Sequence, residues 1–282
     1  MRFRGFVTPV IFSFLVAVTC LNQPWAQGST QEPAYDVKQH YVKSEYMVPM
    51  RDGVRLFTIV YAPRGQSGPF PFLIARTAYG IPPYGPDNYR SVVGPNNEFA
   101  KEGYIFVYQD CRGKFKSEGE FIHHRPLVKG QVNESTDTYD TIEWLLKNIP
   151  NNDGRVGQWG ISWGGWEVSQ GMIGAHPALK ASSPQSPPQD QFLGDDHHSG
   201  GAFQLMYAFA WMSGNARARS APTTSRSGPS TTALRTAMTS FCGWAPPRMR
   251  ASFSPTKSPH GTTTWCTAPM MSTGSRGMYQ ET

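Results

Sequence analysis

Hydrophobic residues recur along the chain in short runs that are typical of β-strands. Apolar runs at 46–50 and 54–62 flank an Asp-Gly pair, and such a pair between two β-prone runs indicates an antiparallel hairpin. The continuous runs at 70–77 and 104–110 predict strands that are buried on both faces. A further strand is predicted over 155–161, after a second Asp-Gly turn.

Helical patterns alternate with these strands. Apolar positions between 139 and 149 recur every three or four residues, so they predict a helix with its N-cap among residues 135–137 and its end at Pro150. Shorter helices are predicted over 97–103 and 163–175. Strands that alternate with helices favour a parallel sheet with right-handed connections, and the predicted fold class is therefore α/β.

The N-terminal pattern is different. Two arginines precede an apolar run over 6–18, and small residues follow around Ala26, which is the order found in a secretory signal. The run is too short to stay in a bilayer as a membrane span. We expect residues 1–27 to be a cleaved signal peptide and the protein to be exported, either periplasmic or secreted. An uncleaved anchor and a lipid-modified Cys20 are the alternatives.

A candidate nucleophile follows the last predicted strand. Residues 160–164 fit G-x-S-x-G, the sharp strand-to-helix turn that projects a serine hydroxyl above a sheet. Side chains at Gly160 and Gly164 would collide with the neighbouring element, so the motif needs glycine there. The predicted strand before Ser162 and the predicted helix after it are the surroundings that the motif requires. The alternative is a glycine-rich turn with an incidental serine.

Six motifs now occur in the order of a known family. They are residues 50–54, 76–79, 109–113, 133–137, 160–164 and 176–179. Over residues 40–212 the chain resembles the serine hydrolases that include X-Pro dipeptidyl-peptidases, cocaine esterase, glutaryl acylases and α-amino-acid ester hydrolases. The resemblance implies that residues 28–212 form the N-terminal part of an α/β-hydrolase domain with the start of its cap. It also implies hydrolysis of a small ester or amide without a cofactor.

The resemblance assigns the acyl-enzyme chemistry to three residues. Ser162 is the acylated nucleophile, and the backbone N–H of Trp163 forms the oxyanion hole together with the phenol of Tyr79. Both donors suit the negative charge that develops on the substrate oxygen. For Tyr79 the alternative is ordinary aromatic packing in a loop. For Asp110 and Arg112 we favour a local ion pair or loop hydrogen bonds that fix the strand end.

A second polar cluster lies at residues 194–198, with the sequence Gly-Asp-Asp-His-His. In the α-amino-acid ester hydrolases, the second aspartate of a matching motif binds the α-ammonium of the substrate. The resemblance therefore implies that Asp196, 34 residues after Ser162, binds substrate. A solvated loop carboxylate is the alternative. Adjacent side chains point in different directions, and the cysteines lack ligand spacing, so no metal site is predicted.

The positive charge of the chain is concentrated in its C-terminal tail. Residues 213–282 contain eight Lys or Arg and one acidic residue, so their formal net charge is 8 − 1 = +7. The formal net charge of the whole chain is +6. The preceding part is close to neutral, so the charge gives no support for nucleic-acid binding by the folded domain. This tail also has 24 Ser or Thr among its 70 residues and no Ile or Val, so we expect no strand or amphipathic helix in it.

The same tail is where the catalytic base should lie. In this fold the acid and the base follow the nucleophile in the order Ser, Asp, His. The tail holds a single histidine, His260, and no aspartate. We therefore expect residues 213–282 to be a disordered tail or an out-of-frame reading, and the catalytic Asp and His to be missing. Two functions stay open, namely an exported serine hydrolase with impaired activity and a non-catalytic exported protein that binds ligands.

Overall fold

The computed structural model describes residues 35–190, 193–215, 219, 221–225, 255–257 and 263–265. The predicted signal peptide at 1–27 lies outside these residues. The same is true of most of the tail at 213–282.

Six strands form one mixed sheet in the order β1-β2-β4-β3-β5-β6. They are β1 (Tyr41–Pro49), β2 (Arg55–Pro63), β3 (Phe70–Thr77), β4 (Ile105–Asp110), β5 (Asn152–Ile161) and β6 (Leu179–Gln185). The β1/β2 and β2/β4 pairs are antiparallel, and the other three pairs are parallel. The α/β prediction is confirmed, with a mostly parallel sheet.

The described helices are α1 (Val37–His40), α2 (Asn97–Lys101), α3 (Glu134–Asn148), α4 (Trp163–Gly171) and α5 (Leu205–Asn215). Two small antiparallel ladders accompany them: β7 (His198–Ser199) with β8 (Ala202–Phe203), and β9 (Pro255–Lys257) with β10 (Thr263–Trp265). The last ladder lies in the tail, so the expectation that the tail contains no strand is wrong for these six residues.

The predicted hairpin is present. Strands β1 and β2 pair along their whole length, and the Met50 N–H donates to the Val54 carbonyl oxygen at 2.8 Å to close the turn. Gly53 has φ +84°, a conformation that glycine adopts without steric cost, which explains why the pair at this turn is Asp-Gly.

Two helix boundaries differ from the prediction. Helix α3 is capped by Asn133, whose side chain accepts the Thr136 N–H, so the N-cap lies just before the predicted residues 135–137. The asparagine and Thr136 form a reciprocal capping box, which satisfies two backbone groups at once. Helix α4 ends at Gly171, and Gly174 with φ +60° prevents a helical continuation to residue 175.

Strand β6 and helix α5 were not predicted. Strand β6 is rich in exposed polar residues, so its sequence carries no hydrophobic period, and it is fixed by backbone pairing to β5. Helix α5 is apolar along most of its length, so it lacks the amphipathic spacing by which a helix is recognised.

The main core lies between the sheet and helix α3. Its buried side chains come from β2 to β5, from α3 and from the segment before β6; they are Val60, Phe72, Ile74, Ile105, Val107, Ile142, Leu145, Ile149, Val156 and Ala178. This core fixes β3 and β5 side by side in parallel, with their carboxyl ends at one edge. The residues that follow those two strands carry the candidate site.

Candidate active site around Ser162

Ser162 lies on a strained turn between β5 and α4. Its φ of 57° and ψ of −122° are rare for a residue with a side chain, and such a conformation costs about 1–3 kcal/mol. Backbone hydrogen bonds hold it, because the Ser162 N–H donates to the Gln185 carbonyl at 2.9 Å and the Trp166 N–H donates to the Ser162 carbonyl at 3.0 Å. The predicted strand-turn-helix arrangement is confirmed.

Three glycines permit this turn. A methyl group on Gly160 would overlap the carbonyl group of Gly164. On Gly164 it would lie 3.3 Å from the Arg76 carbonyl oxygen, and on Gly165 it would lie 2.5 Å from the Gln185 carbonyl oxygen. The sequence motif included the first two glycines and not the third, which admits the edge strand β6.

The structure brings together all four residues that the sequence singled out. Ser162, Trp163, Tyr79 and Asp196 line one small cavity. Tyr79 reaches it from the loop after β3, and Asp196 reaches it from the loop before β7. Residues that are 34 and 83 positions from Ser162 along the chain therefore share one space with it. Their chemical roles stay predictions.

Three histidines line the same cavity, and the sequence predicted no role for them beside Ser162. His123 and His197 have their Nε2 atoms 3.3 Å apart, and His124 stacks on the Trp163 ring at 4.6 Å. The adjacent pair at 123 and 124 was visible in the sequence, but no known spacing relates it to Ser162. We name His123, His124 and His197 the histidine wall.

Two histidines of the wall, His123 and His124, are uncharged at neutral pH. Burial, together with His197, lowers the pKa of His123 to about 4. Burial, with His123 and His197 as smaller causes, lowers the pKa of His124 to about 3. Both ring nitrogens of His124 and Nδ1 of His197 have no hydrogen-bond partner within the described residues. The wall thus presents imidazoles with unpartnered ring nitrogens to the cavity.

No base is placed on the nucleophile within the part of the chain that the structure describes. There, no imidazole makes a hydrogen bond to the Ser162 hydroxyl. The predicted loss of the catalytic Asp and His concerns the tail, most of which lies outside the described residues, and it stays a prediction.

Across the described residues, no group of three or more His, Cys, Asp or Glu could hold a metal ion, and no helix is long and apolar enough to cross a membrane.

Asp196 lies at the border of two cavities. It lines the small cavity at Ser162 and an adjoining open cavity, where Gln204 and Tyr207 are its neighbours. The Asp195 carboxylate accepts the Asp196 N–H at 2.7 Å and the Gln189 N–H, so Asp195 holds the loop in place. Burial and the nearby Asp196 carboxylate raise the pKa of the Tyr207 phenol. A carboxylate so placed is accessible to a ligand cation.

A buried ionic cluster lies beneath the turn. Arg76, at the end of β3, pairs with Glu134 at 2.9 Å and with Glu167 at 2.8 Å, and all three side chains are at most 5% exposed. Burial and the neighbouring Glu167 raise the pKa of Glu134 to about 7. Glu167 also accepts the Trp163 indole N–H at 3.3 Å. The cluster therefore ties the residue after the nucleophile to the centre of the sheet.

Asp110 and Arg112 do not pair with each other. Arg112 binds Asp137 at 2.6 Å and Asp52 at 2.7 Å. The Asp110 carboxylate accepts the Tyr84 hydroxyl at 3.1 Å, and its burial raises its pKa to about 7. Of the two interactions predicted for these residues, ion pairing describes Arg112, with Asp52 and Asp137 as its partners, and loop hydrogen bonds describe Asp110.

Comparisons with known proteins agree with this architecture. A family model described as X-Pro dipeptidyl-peptidase (S15 family) matches residues 52–275, which includes most of the tail. Cocaine esterase of Rhodococcus sp. (strain MB1 Bresler) is 36% identical over 172 residues, which is 60% of this chain and 28% of that protein.

Two solved structures resemble the chain at 36% identity each. A crystal structure of an aminopeptidase from a marine sediment Thaumarchaeota archaeon has a TM-score of 0.60 and is matched over 67% of this chain and 32% of its own. An α-amino acid ester hydrolase has a TM-score of 0.57, with coverage of 70% and 34%. The second match supports a partial α/β-hydrolase fold. The chain spans about a third of the length of these relatives.

Proposed function

The chain belongs to the X-Pro dipeptidyl-peptidase (S15) family, whose members are serine hydrolases of esters and peptides, and we propose that Ser162 is its acylated nucleophile. The observation that supports the proposal best is the strained conformation of Ser162 on a glycine-lined turn that opens into a cavity. Such a turn holds the hydroxyl at the surface of the cavity and leaves the following backbone N–H close to the reacting carbonyl.

The oxyanion hole in this proposal consists of the Trp163 N–H and the Tyr79 hydroxyl. Both residues line the cavity with Ser162. Hydrogen-bond donors that are fixed before the reaction stabilise the developing oxyanion without further reorganisation. Each such donor contributes about 10²–10³ in rate. The buried cluster of Arg76 and Glu167 supports this geometry because it anchors the Trp163 side chain.

The proposed substrate is a small ester or amide whose acyl group carries an amine. Asp196 supplies a carboxylate at the border of the Ser162 cavity, and a carboxylate is the natural partner of an ammonium group in a partly buried site. α-Amino-acyl groups fit this reading, as do β-lactam acyl groups that contain an amine. We further propose that residues 1–27 direct export to the periplasm or the medium.

A non-catalytic role is the second candidate. The observation in its favour is that no described imidazole bonds the Ser162 hydroxyl. Losing the base of a serine triad costs about a million-fold in kcat, which leaves ligand binding as the remaining use of the cavity.

Labelling by a fluorophosphonate separates the two candidates. The purified chain and its Ser162→Ala variant are incubated with the probe, and the labelled residue is located by mass spectrometry. We expect measurable labelling at residue 162 that the variant abolishes, together with weak turnover of an amino-acid p-nitrophenyl ester. Equal labelling of the two proteins would reject the nucleophile and favour a binding role.

The role of Asp196 needs a separate test. In Asp196→Asn we expect inhibition of labelling by an α-amino-acid amide to weaken about tenfold, while inhibition by the matching amide without the amine stays unchanged. Asp87→Asn, which neutralises an exposed aspartate outside the cavity, is the control. If inhibition by both amides weakened equally in Asp196→Asn, Asp196 would not bind the amine and would serve only the structure of its loop.

A further inference from the structure

Trp211 contacts the side chains of both residues that carry the predicted oxyanion donors. Its indole Nε1 lies 3.3 Å from the Tyr79 hydroxyl oxygen and donates a hydrogen bond to it. The same indole stacks on the Trp163 ring, with centroids 5.4 Å apart and planes 25° apart. Trp211 projects from helix α5 into the cavity that Ser162 shares with both residues. One side chain therefore bridges the two halves of the site.

The direction of the hydrogen bond matters for the phenol. An indole nitrogen can only donate, whereas a phenol can both donate and accept. Trp211 therefore occupies an acceptor position on the Tyr79 oxygen and cannot take the phenol hydrogen. A hydroxyl that accepts a hydrogen bond is also polarised into a better donor, because successive hydrogen bonds strengthen one another. The contact orients and strengthens the phenol as a donor.

Trp211 is itself held in this orientation. One face lies on Trp163, and the His123 ring meets the indole edge to face at 4.9 Å. Its own helix is anchored at the C-terminal end, since the Asn215 side chain donates to the Trp211 carbonyl at 2.9 Å and Lys114 donates to the Asn215 carbonyl. Ring packing on two sides restricts rotation of the indole, so the N–H keeps its direction toward Tyr79.

We propose that Trp211 is a positioning residue of the oxyanion hole, which sets the direction of the Tyr79 hydroxyl by hydrogen bonding and the place of Trp163 by stacking. The inference rests on the proposed function, in which Tyr79 and Trp163 supply the two donors. It adds a residue of helix α5 to a site whose other parts follow the strands of the sheet. Its action passes through the phenol, and that dependence can be measured.

A double-mutant cycle tests the dependence. The second-order rate of fluorophosphonate labelling is measured for the full chain, Trp211→Phe, Tyr79→Phe and the double variant. We expect Trp211→Phe to slow labelling about fivefold to tenfold when Tyr79 is present, because one hydrogen bond to the phenol is lost. In the Tyr79→Phe background, the same change should slow labelling less than about twofold. Equal factors in both backgrounds would overturn the proposal.

Trp166→Phe is the matched control. Trp166 packs on the same Trp163 ring at 4.8 Å, and it loses the same volume on substitution. Its effect on labelling should be the same with and without the Tyr79 hydroxyl. Thermal unfolding of all variants shows whether any of them fails to fold. If Trp166→Phe coupled to Tyr79 as strongly as Trp211→Phe does, the slower labelling of Trp211→Phe would result from altered packing, and the proposal would be overturned.

A second measurement does not need a reactive serine. With ¹⁵N-labelled tryptophan, the indole N–H signal of Trp211 is identified by its loss in Trp211→Phe. In Tyr79→Phe we expect this signal to shift upfield and its exchange with solvent to accelerate about tenfold, while the Trp166 signal stays in place. If the chain is not labelled at Ser162, the proposed function fails, and this measurement still tests whether Trp211 donates a hydrogen bond to Tyr79. An unchanged Trp211 signal in Tyr79→Phe would show that this hydrogen bond is absent and would overturn the proposal.

Discussion

The two sides of the Ser162 cavity are built in opposite ways. On the turn side, glycines admit close backbone contacts, and the charges below are paired, as Arg76 is with Glu134 and Glu167. On the side of the histidine wall, rings pack on rings and several imidazole nitrogens have no described partner. The first side is defined by steric contacts and paired charges, and the second by the packing of aromatic and imidazole rings.

The two sides of the cavity differ in how much change they tolerate. Removing one partner of a buried charge cluster lowers the free energy of unfolding strongly. A side chain added where two backbone segments are in contact forces them apart, which also lowers it. Stacked rings tolerate exchange of one aromatic residue for another, but they lose their packing if they gain charge. We therefore expect substitutions on the turn side to destabilise the domain, and changes of pH to act on the histidine wall.

The largest effect should come from Arg76→Met. This change leaves Glu134 and Glu167 buried without their shared cation, and breaking such a cluster costs about 3–5 kcal/mol in the free energy of unfolding. Urea denaturation of the variant and the parent chain measures it.

Arg155→Met is the matched control, because Arg155 pairs with Asp153 but is 67% exposed in its side chain. Exposed pairs contribute about 0–1 kcal/mol. If Arg76→Met were as mild as its control, the cluster would not support the turn.

A smaller loss of stability, but a large loss of labelling, should follow Gly160→Ala. The added methyl group overlaps the Gly164 carbonyl, so the turn has to shift, at a cost of about 1–3 kcal/mol. Because the serine then loses its position, we expect labelling of Ser162 to fall at least about 100-fold. Gly194→Ala provides the comparison, since a methyl group there meets no atom within 4 Å. Normal labelling of Gly160→Ala would show that the turn is adaptable.

Much of the turn side could be predicted from the sequence. The G-x-S-x-G spacing has a single steric interpretation once a strand precedes it and a helix follows it, and both were visible in the hydrophobic pattern. The resemblance also selected Tyr79 and Asp196, which the structure places beside Ser162. Such motifs can be recognised because backbone geometry restricts the residue types at fixed positions.

The rest depends on contacts between distant segments. Arg76 lies at the end of the apolar strand β3, which indicates that it needs a buried partner, but nothing in the sequence selects Glu167, 91 residues later. His123 and His197 meet across 74 residues, and Trp211 meets Tyr79 across 132. Strand β6 has no hydrophobic period because its exposed polar residues are held by backbone pairing. Contacts of this kind follow from the fold and leave no local pattern.

The effect that is smallest at neutral pH should be a pH dependence that arises in the histidine wall. Burial holds the pKa of His124 at about 3, against 6.5 without burial, so between these pH values the folded chain binds fewer protons than the unfolded one. The free energy of unfolding therefore falls as the pH drops below about 6.5. Phenylalanine keeps the ring contacts with Trp163 and Trp166 and cannot be protonated.

We accordingly expect His124→Phe to gain stability relative to the parent chain as the pH falls from 7 to about 4. The quantity to measure is the difference between the two proteins at each pH, because Asp110 and Glu134, whose pKa values are raised to about 7, contribute in the opposite sense in both. A flat difference for His124→Phe would mean that the wall admits a proton without losing its packing, and the contrast between the two sides of the cavity would then be one of sterics alone.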